Sequence, residues 1–298
     1  MTKQYGLSYM GSKSKIAKDI LKILPSSDNF YDLFAGGCAI THAVLLSRRW
    51  KNIIANDINK VPMLFKDAIL GKYKNENKWI SSKEFKERKK ENWIPRENEL
   101  ETYPLYIRFV WSFGNNGDAY IFGEDIEEIK HEAHEFLMNN GYDGTSRKRV
   151  ELIKKFNLKE KLNGGRAELQ QLERLEIYNK DYREVEIKQN SIVYCDIPYG
   201  QKENTHEEIK KDYSVEFNTK EFYEWAKSRD FPVYFSSSFC NDKDFTLVLE
   251  IKKQCLMNNK GSNKESKEII ERLYWNNIKI KDDYQQPISK FMIQKTLW

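Results

Sequence analysis

A glycine turn between two apolar segments constrains the fold of this chain more than any other feature. Residues 30–34 (FYDLF) are typical of a buried strand, and Ala35-Gly36-Gly37 follows them as a tight turn. We predict a helix over residues 38–47 and a second short strand over residues 52–57. Strand, turn, helix and strand form a βαβ unit, whose crossover makes the two strands parallel. The chain is therefore predicted to build an α/β sheet with helices on its faces.

The same pattern recurs around a segment of different composition. We predict a helix over residues 12–24, which Pro25 ends, and later a strand over 191–195, a helix over 220–228 and a strand over 232–235. Residues 62–168 are rich in lysine, glutamate, asparagine and dispersed aromatic residues, and we interpret them as a mostly helical insertion with a turn at residues 114–117. The predicted organisation is a discontinuous α/β domain (residues 1–61 and 169–298) interrupted by that insertion (residues 62–168).

Composition excludes several classes of protein. Hydrophobic residues make up 40% and charged residues 32% of the 298, which fits an ordinary globular core. No apolar run approaches the ~18 residues of a membrane span, and residues 1–10 lack a signal-peptide core, so we expect a cytoplasmic protein. The four cysteines form no CxxC pair, which argues against a zinc site or a disulfide framework. His131 and His134 lie in a charged stretch and are interpreted as a solvated helix face, so we predict no bound metal.

Positive charge is concentrated in two local runs. The chain has 50 basic and 45 acidic residues and a formal net charge of +5. Residues 83–90 (KEFKERKK) and the triplet Arg147-Lys148-Arg149 fit contacts with a polyanion such as DNA. The first run fits an exposed lysine-rich helix face equally well.

Acidic residues follow the first two predicted strands. Glycines after a strand let the backbone approach a ligand, and a carboxylate at the end of the next strand can bind both hydroxyls of a ribose. Asp32, Gly36 and Asp57 fit this adenosine-binding pattern, which nicotinamide and methyl-donor enzymes share. The G-x-G-x-x-G spacing of dinucleotide enzymes is absent, because the two glycines are adjacent. A purely structural turn would explain the same residues.

A second candidate site follows the strand over residues 191–195. Asp196-Ile197-Pro198-Tyr199 supplies a carboxylate, a main-chain carbonyl and an aromatic ring at one strand end. The carboxylate and carbonyl can accept both N–H bonds of a planar exocyclic amine, which makes its nitrogen lone pair more available to a methyl donor. The ring can stack on the base, and the proline restricts the backbone. A buried aspartate that caps a turn is the simpler alternative.

An ordered set of short motifs runs along the chain: YMGSK at residues 9–13, DLFAGG at 32–37, NDIN at 56–59, FGNNG at 113–117, DYR at 181–183, DIPY at 196–199 and ERLY at 271–274. Taken in this order, the motifs resemble the Dam-like class of adenine-N6 DNA methyltransferases. The resemblance covers nearly the whole chain and is weakest across residues 72–100 and 127–161. It implies a Rossmann-like methyltransferase fold, S-adenosylmethionine as methyl donor, and direct transfer to an adenine.

The roles of individual residues follow from this resemblance alone. The positions that match donor-binding residues of the family are Tyr9, Lys13, Asp32, Phe34, Gly36, Asp57, Asp181 and Asp196. Among them, Lys13 matches a lysine near the methionine part of the donor. Asp57 matches the acid that binds the ribose, and Asp181 the acid that binds the donor's adenine amine. Asp196, Ile197, Pro198 and Tyr199 match the catalytic loop. The chain departs from the family at Ile197, where a proline is usual, and it lacks a third glycine after Gly37.

The insertion then resembles a target-recognition domain for double-stranded DNA. Asparagine can pair with adenine edges and arginine with guanine in the major groove, which makes Asn115 and Asn116 candidates together with Arg147, Lys148 and Arg149. Asn115 and Asn116 are equally good turn residues. The target adenine must leave the duplex to reach Asp196. We expect a monomer.

Several rival functions share part of this evidence. Cytosine-C5 methylation needs a nucleophilic cysteine after a proline, and Cys195 instead follows Tyr194. Methylation of cytosine N4 or of RNA adenine uses similar loops, and methylation of a protein glutamine is a further alternative, disfavoured by the basic insertion. The non-enzyme rival is a nucleic-acid-binding protein with an inactive methyltransferase fold. The presence of every acid with an implied role argues against this alternative.

Overall fold

The computed structural model describes residues 5–7, 11–115, 117–140, 171–198, 217–256, 266–279 and 291–294, and secondary-structure elements are numbered along these residues. Within these ranges no helix is both long enough and apolar enough to cross a bilayer.

The strands of the described residues form one mixed sheet of eight in the order β3-β2-β1-β4-β5-β7-β6-β8. Neighbours from β3 to β5 run parallel, β7 is antiparallel to both β5 and β6, and β8 is parallel to β6. The strands are β1 (Asn29–Asp32), β2 (Asn52–Asn56), β3 (Leu175–Tyr178), β4 (Ser191–Asp196), β5 (Val233–Ser237), β6 (Thr246–Leu256), β7 (Ser266–Trp275) and β8 (Phe291–Gln294). This order and the antiparallel β7 confirm the predicted Rossmann-like methyltransferase sheet.

The α-helices of the described residues are α1 (Ala17–Ile23), α2 (Ala39–Ser47), α3 (Val61–Ile69), α4 (Ser82–Lys90), α5 (Tyr103–Val110), α6 (Glu127–Asn140) and α7 (Thr219–Lys227). Polar side chains begin two of them: Ser81 accepts a hydrogen bond from the Glu84 N–H and Asn218 from the Glu221 N–H. Pro62 stands in the first turn of α3, where a missing N–H costs no intrahelical bond.

Both faces of the sheet are buried. In β1, Phe30 belongs to one hydrophobic cluster and Tyr31 to the other. Helices α1, α2 and α3 contribute to the first cluster, and α7 contributes Phe222 and Ala226 to the second. A parallel sheet covered on both faces requires apolar side chains at successive strand positions, which explains the continuous apolar runs of the sequence.

The topology sets where a ligand can bind. From β1 the chain passes to β2 on one side, whereas β4 pairs with β1 on the other side. In open α/β sheets ligands bind outside the carboxyl ends of the strands at such a switch point. Asp32 ends β1, Asp196 ends β4 and Asp57 follows β2, so three carboxylates meet at this edge.

The first part of the insertion is helical and shares its core with the sheet. Between residues 62 and 140 the described residues contain four helices and an isolated bridge from Ser112 to Tyr120. Phe65 on α3 and Ile107 on α5 belong to the same buried cluster as Phe30 of β1. The proposed boundary at residues 61 and 62 therefore falls at the start of a helix that packs against the sheet domain.

Most predicted elements are present with small shifts at their ends. The helix predicted over residues 12–24 starts with a 3-10 turn over Lys13–Lys15, and Leu33 and Phe34 form a turn rather than the end of β1. The prediction missed the C-terminal strands: β6 and β7 form a long antiparallel pair with an irregularity between Leu247 and Leu249.

The interpretation of His134 as solvated was wrong. His134 is 3% exposed, its Nε2 lies 2.7 Å from the carbonyl oxygen of Asn77, and its ring packs 5.3 Å from that of Trp79. The ring of His131 also stacks on the Trp79 indole, with 4.8 Å between the ring centroids. The aromatic residues dispersed through the insertion form a core there, to which His134 belongs, whereas His131 lies at its surface with 44% of its side chain exposed.

The N-terminal segment docks on the glycine turn through main-chain contacts. The Leu7 N–H donates to the carbonyl oxygen of Gly37 at 2.7 Å, and the Gly6 N–H donates to His42 Nδ1 at 3.0 Å. Gly6 has φ +68°, and a Cβ there would lie 2.3 Å from the same Gly37 oxygen. A side chain at residue 6 therefore meets both backbone strain and a fixed backbone atom.

We predict that Gly6→Ala destabilises the protein by more than the ~1–2 kcal/mol expected for left-handed backbone strain alone. The matched control is Gly71→Ala, since Gly71 has φ +78° and nothing within 4 Å of an added Cβ. Urea unfolding of the two variants measures the difference. Equal losses of unfolding free energy would show that the contact with Gly37 contributes nothing.

Candidate active site

Three aspartates define the electrostatics of the carboxyl edge. Asp32 is buried, and its pKa is raised to about 7 by that burial and by the negative charges of Asp196 and Asp57. Burial also raises the pKa of Asp57. An edge with this surplus of carboxylates favours a ligand that carries positive charge.

Asp32 is anchored by the helix that follows the glycine turn. Its Oδ2 accepts hydrogen bonds from Thr41 Oγ1 at 2.7 Å and from the Thr41 N–H at 3.2 Å. Its Oδ1 is buried and has no hydrogen-bond partner among the described residues. A buried carboxylate oxygen in this state is a ready acceptor for a ligand donor.

Asp57 connects the end of β2 to the glycine turn. Its Oδ2 accepts from the Gly36 N–H at 2.8 Å and its Oδ1 from the Asn59 N–H at 2.9 Å. Asn56, which is fully buried, donates to the carbonyl oxygens of Leu33 and Lys180 at 3.2 and 3.0 Å. The loops after β1, β2 and β3 are thereby fixed relative to one another.

Lys13 brings a buried positive charge to Asp196. Lys13 Nζ lies 2.7 Å from Asp196 Oδ1 and 3.7 Å from Glu271 Oε2, and it donates to the Gly11 carbonyl oxygen at 3.4 Å. Only 3% of the Lys13 side chain is exposed. The N-terminal motif and the loop after β4, which are 183 residues apart in sequence, therefore form one site.

Aromatic rings and an ion pair lie on the β3 side of the edge. Phe34 packs against Tyr182 at 5.1 Å and against Phe217 at 5.5 Å between ring centroids. Asp181 accepts from Arg183 Nε at 2.7 Å and from Arg183 Nη2 at 2.8 Å, and these bonds lower the pKa of the Asp181 carboxyl. A flat ring system would find stacking partners and a charged acceptor here.

The loop after β4 begins inside the protein. Ile197 is 2% exposed and belongs to the hydrophobic cluster on the α7 face, whereas Pro198 is half-buried. The isoleucine that replaces the usual proline thus contributes a buried side chain besides its carbonyl. Cys195 is fully buried in β4, and burial raises the pKa of its thiol well above the ordinary value, which disfavours a nucleophilic thiolate.

Asn115 is the described member of the predicted DNA-contacting asparagines. It has φ +59° and lies in a loop where the Phe113 N–H donates to the Ala119 carbonyl oxygen at 2.9 Å. It is thus a turn residue in a loop closed by the Ser112–Tyr120 bridge. The remaining predicted site residues lie outside the described residues; they are Tyr9, Asn116, Arg147, Lys148, Arg149 and Tyr199.

The lysine-rich run over residues 83–90 forms α4, and its charges are partly paired. Arg88 is 1% exposed and forms a bidentate ion pair with Glu99. Lys86 lies 3.2 Å from Glu124 and Lys89 lies 3.5 Å from Asp118. Arg88 therefore stabilises the insertion internally and is not part of an exposed face.

Sequence reasoning missed two residues of this edge. Glu271 lies within the ERLY motif but receives no role from the sequence, because its partner Lys13 is distant along the chain. Asn56 was noted only as a neighbour of Asp57, and its cross-links to two loops depend on tertiary structure. In the described part of the chain no group of three or more histidine, cysteine, aspartate or glutamate side chains is placed to hold a metal.

We predict that Asp32→Asn stabilises the protein relative to wild type increasingly as pH rises. The folded-state pKa of Asp32 lies at about 7, above its ordinary 3.8, so the folded state binds this proton more tightly than the unfolded state. Its contribution to stability is complete below the ordinary value and is lost as pH rises through about 7. Urea unfolding of both proteins across this range measures the effect, and a pH-independent difference contradicts it.

Comparison with known proteins identifies the family. The family model for D12 class N6 adenine-specific DNA methyltransferases matches residues 9–279. Among solved structures, the rRNA methyltransferase aviRa from Streptomyces viridochromogenes is similar with 11% identity and a TM-score of 0.36, over 88% of this chain and 83% of that chain. No curated protein matches the chain. The chain belongs to the D12 class of N6 adenine-specific DNA methyltransferases.

Proposed function

We propose that this enzyme transfers a methyl group from S-adenosylmethionine to the N6 amine of an adenine flipped out of double-stranded DNA. The observation that carries the proposal is the meeting of Asp32, Asp57 and Asp196 at the carboxyl ends of β1, β2 and β4. This edge is the switch point of the sheet, and its acidic character suits a donor with a sulfonium and an ammonium group.

The residues at the edge fit such a donor part by part. Asp57 would bind the ribose hydroxyls, as a carboxylate after the second strand does in adenosine-binding folds. Asp181 would accept from the adenine amine, since a carboxylate offers about four acceptor positions and Arg183 occupies only some of them. Phe34 would flank the ring, and Asp32 Oδ1, buried without a partner among the described residues, would meet the methionine part.

Asp196 is the proposed catalytic residue. S-adenosylmethionine, when bound, supplies an electrophilic methyl group. The Asp196 carboxylate accepts one N–H bond of the target amine and the Ile197 carbonyl accepts the other, so the nitrogen lone pair turns toward the methyl group. As the N–C bond forms, the bond between the methyl carbon and the donor sulfur would break and leave a neutral thioether, and the nitrogen would release one proton to Asp196. Tyr199, whose match to the family motif supports the role, stacks on the base.

We further propose that residues 62–168 contact DNA while residues 1–61 and 169–298 form the catalytic domain. The described part of the insertion presents a closed loop that exposes Phe113 by 72% beside Asn115. Arg147, Lys148 and Arg149 would contact phosphates, which would make DNA affinity strongly dependent on salt. The protein acts as a monomer in this proposal.

We predict that Asp196→Ala reduces the single-turnover rate to less than a tenth of the wild-type rate, a loss above ~1.4 kcal/mol of transition-state stabilisation, while donor affinity weakens only partly. The reason is that the Asp196 carboxylate is proposed to act on the target amine, whereas other residues of the edge are proposed to make most of the donor contacts. Rapid-quench measurement of N6-methyladenine in an adenine-containing duplex gives the rate, and calorimetry gives donor affinity. A single-turnover rate above a tenth of the wild-type rate would contradict the catalytic role of Asp196.

We predict the opposite pattern for Asp57→Ala. Loss of a charge-assisted hydrogen bond to the ribose should weaken donor binding by about ten- to a hundredfold, or roughly 1.5–3 kcal/mol. The matched control is Asp67→Ala, which removes a half-buried carboxylate of α3 whose Oδ1 lies 2.7 Å from Lys72 Nζ. Calorimetry that finds equal donor affinity in the two variants would contradict the ribose-binding role.

A further inference from the structure

A second carboxylate shares the ammonium group of Lys13 with Asp196. Glu271 Oε2 lies 3.7 Å from Lys13 Nζ, and the Glu271 side chain is only 13% exposed. Lys13 itself is 3% exposed, and Asp196 is 25% exposed. A buried ammonium is tolerated only where carboxylates or hydrogen bonds replace its water. Lys13 thus belongs to a buried triad whose most exposed member is the proposed catalytic acid.

Sheet topology explains how a residue of β7 reaches this site. In the parallel pair of β4 and β5, Asp196 is opposite Ser236. In the antiparallel pair of β5 and β7, Ser237 is opposite Arg272, so Glu271 comes one position beyond the last paired residue of β5. The reversed direction of β7 therefore carries Glu271 to the same edge of the sheet as the carboxyl end of β4.

The alternation of side chains along β7 separates two ion pairs. Leu273, two residues from Glu271, belongs to the hydrophobic cluster on the α1 face. The intervening Arg272 pairs instead with Glu250 of β6, with Nε 2.7 Å from Oε2. Successive strand residues point to opposite faces, so Glu271 faces the side on which Lys13 precedes α1, and Arg272 faces the other.

We propose that Glu271 is a positioning residue for methyl transfer, which holds the Lys13 ammonium group between two carboxylates. This rests on the proposed catalytic function of Asp196. With Glu271 present, the ammonium is shared, so it fixes the Asp196 carboxylate without neutralising it. Without Glu271, Lys13 would lose one carboxylate partner and pair more strongly with Asp196, and the Asp196 carboxylate would become a weaker acceptor for the target amine. The effect falls on the chemical step, because Glu271 itself contacts neither substrate.

The test is Glu271→Gln, which keeps the shape of the side chain and removes its charge. We expect the single-turnover rate on an adenine-containing duplex to fall about tenfold, equivalent to ~1.4 kcal/mol. Donor affinity should stay within about twofold, since Glu271 is not among the residues proposed to bind the donor. Glu271→Asp should recover part of the rate, because it restores the charge.

Two further variants separate positioning from general stabilisation. Glu250→Gln is the matched control, because it removes a carboxylate of similar exposure from the ion pair on the opposite face of the same strands. It should leave the rate at the wild-type value. Lys13→Gln combined with Glu271→Gln should be no slower than Lys13→Gln alone, since Glu271 acts through Lys13.

Each outcome decides the proposal. A wild-type rate for Glu271→Gln, an equal loss in Glu250→Gln, additive losses in the double variant, or loss of donor binding in Glu271→Gln would overturn it. Asp196→Ala, measured in parallel, tests the proposed function separately. If Asp196→Ala is inactive while Glu271→Gln is fully active, only the role of Glu271 fails. If Asp196→Ala stays active, the catalytic assignment on which the proposal rests fails as well.

Discussion

The ion pair between Lys13 and Asp196 joins the start of the chain to the carboxyl end of β4. Its 2.7 Å distance is reached only because other contacts have already fixed both partners. Leu7 and Gly6 dock the N-terminal segment on the glycine turn and on α2, and β4 is fixed between β1 and β5. The same docking contacts orient the turn whose Gly36 N–H binds Asp57. The acidic edge is therefore one hydrogen-bonded unit rather than a set of independent loops.

Concentrating carboxylates in this way has an electrostatic cost that the protein offsets unequally. Asp57 and Asp196 have main-chain or lysine partners, whereas Asp32 has one oxygen held by Thr41 and the other without a partner among the described residues. Burial, together with the negative charges of Asp196 and Asp57, raises the pKa of Asp32 to about 7. Ligand-binding sites often retain such groups, because an acceptor that has no partner in the protein can accept a hydrogen bond from the ligand.

The sequence predicted the sheet and its carboxyl edge well, because local patterns encode them. Glycine turns, apolar runs and the acids that follow them identify β1, β2 and β4 without tertiary information. The histidine pair illustrates the limit: the flanking charges indicate solvent, yet His134 fills the space beside Trp79. Glu271 was equally inaccessible to local reasoning, because its partner Lys13 is 258 positions away. β6 was missed because its alternation of apolar and charged residues is broken by an irregularity.

The shared core of the sheet and the insertion limits how the insertion could be exchanged as a unit during evolution. Phe65 of α3 packs 5.5 Å from His42 of α2, so α3 belongs physically to the sheet although it begins the inserted segment. Replacing the whole of residues 62–168, the segment proposed to contact DNA, would remove part of the hydrophobic core. A joint placed directly after α3 would also remove part of that core, because Tyr73, Phe85 and Ile107 belong to the same cluster. The packing thus determines which fragments can be inherited as a unit.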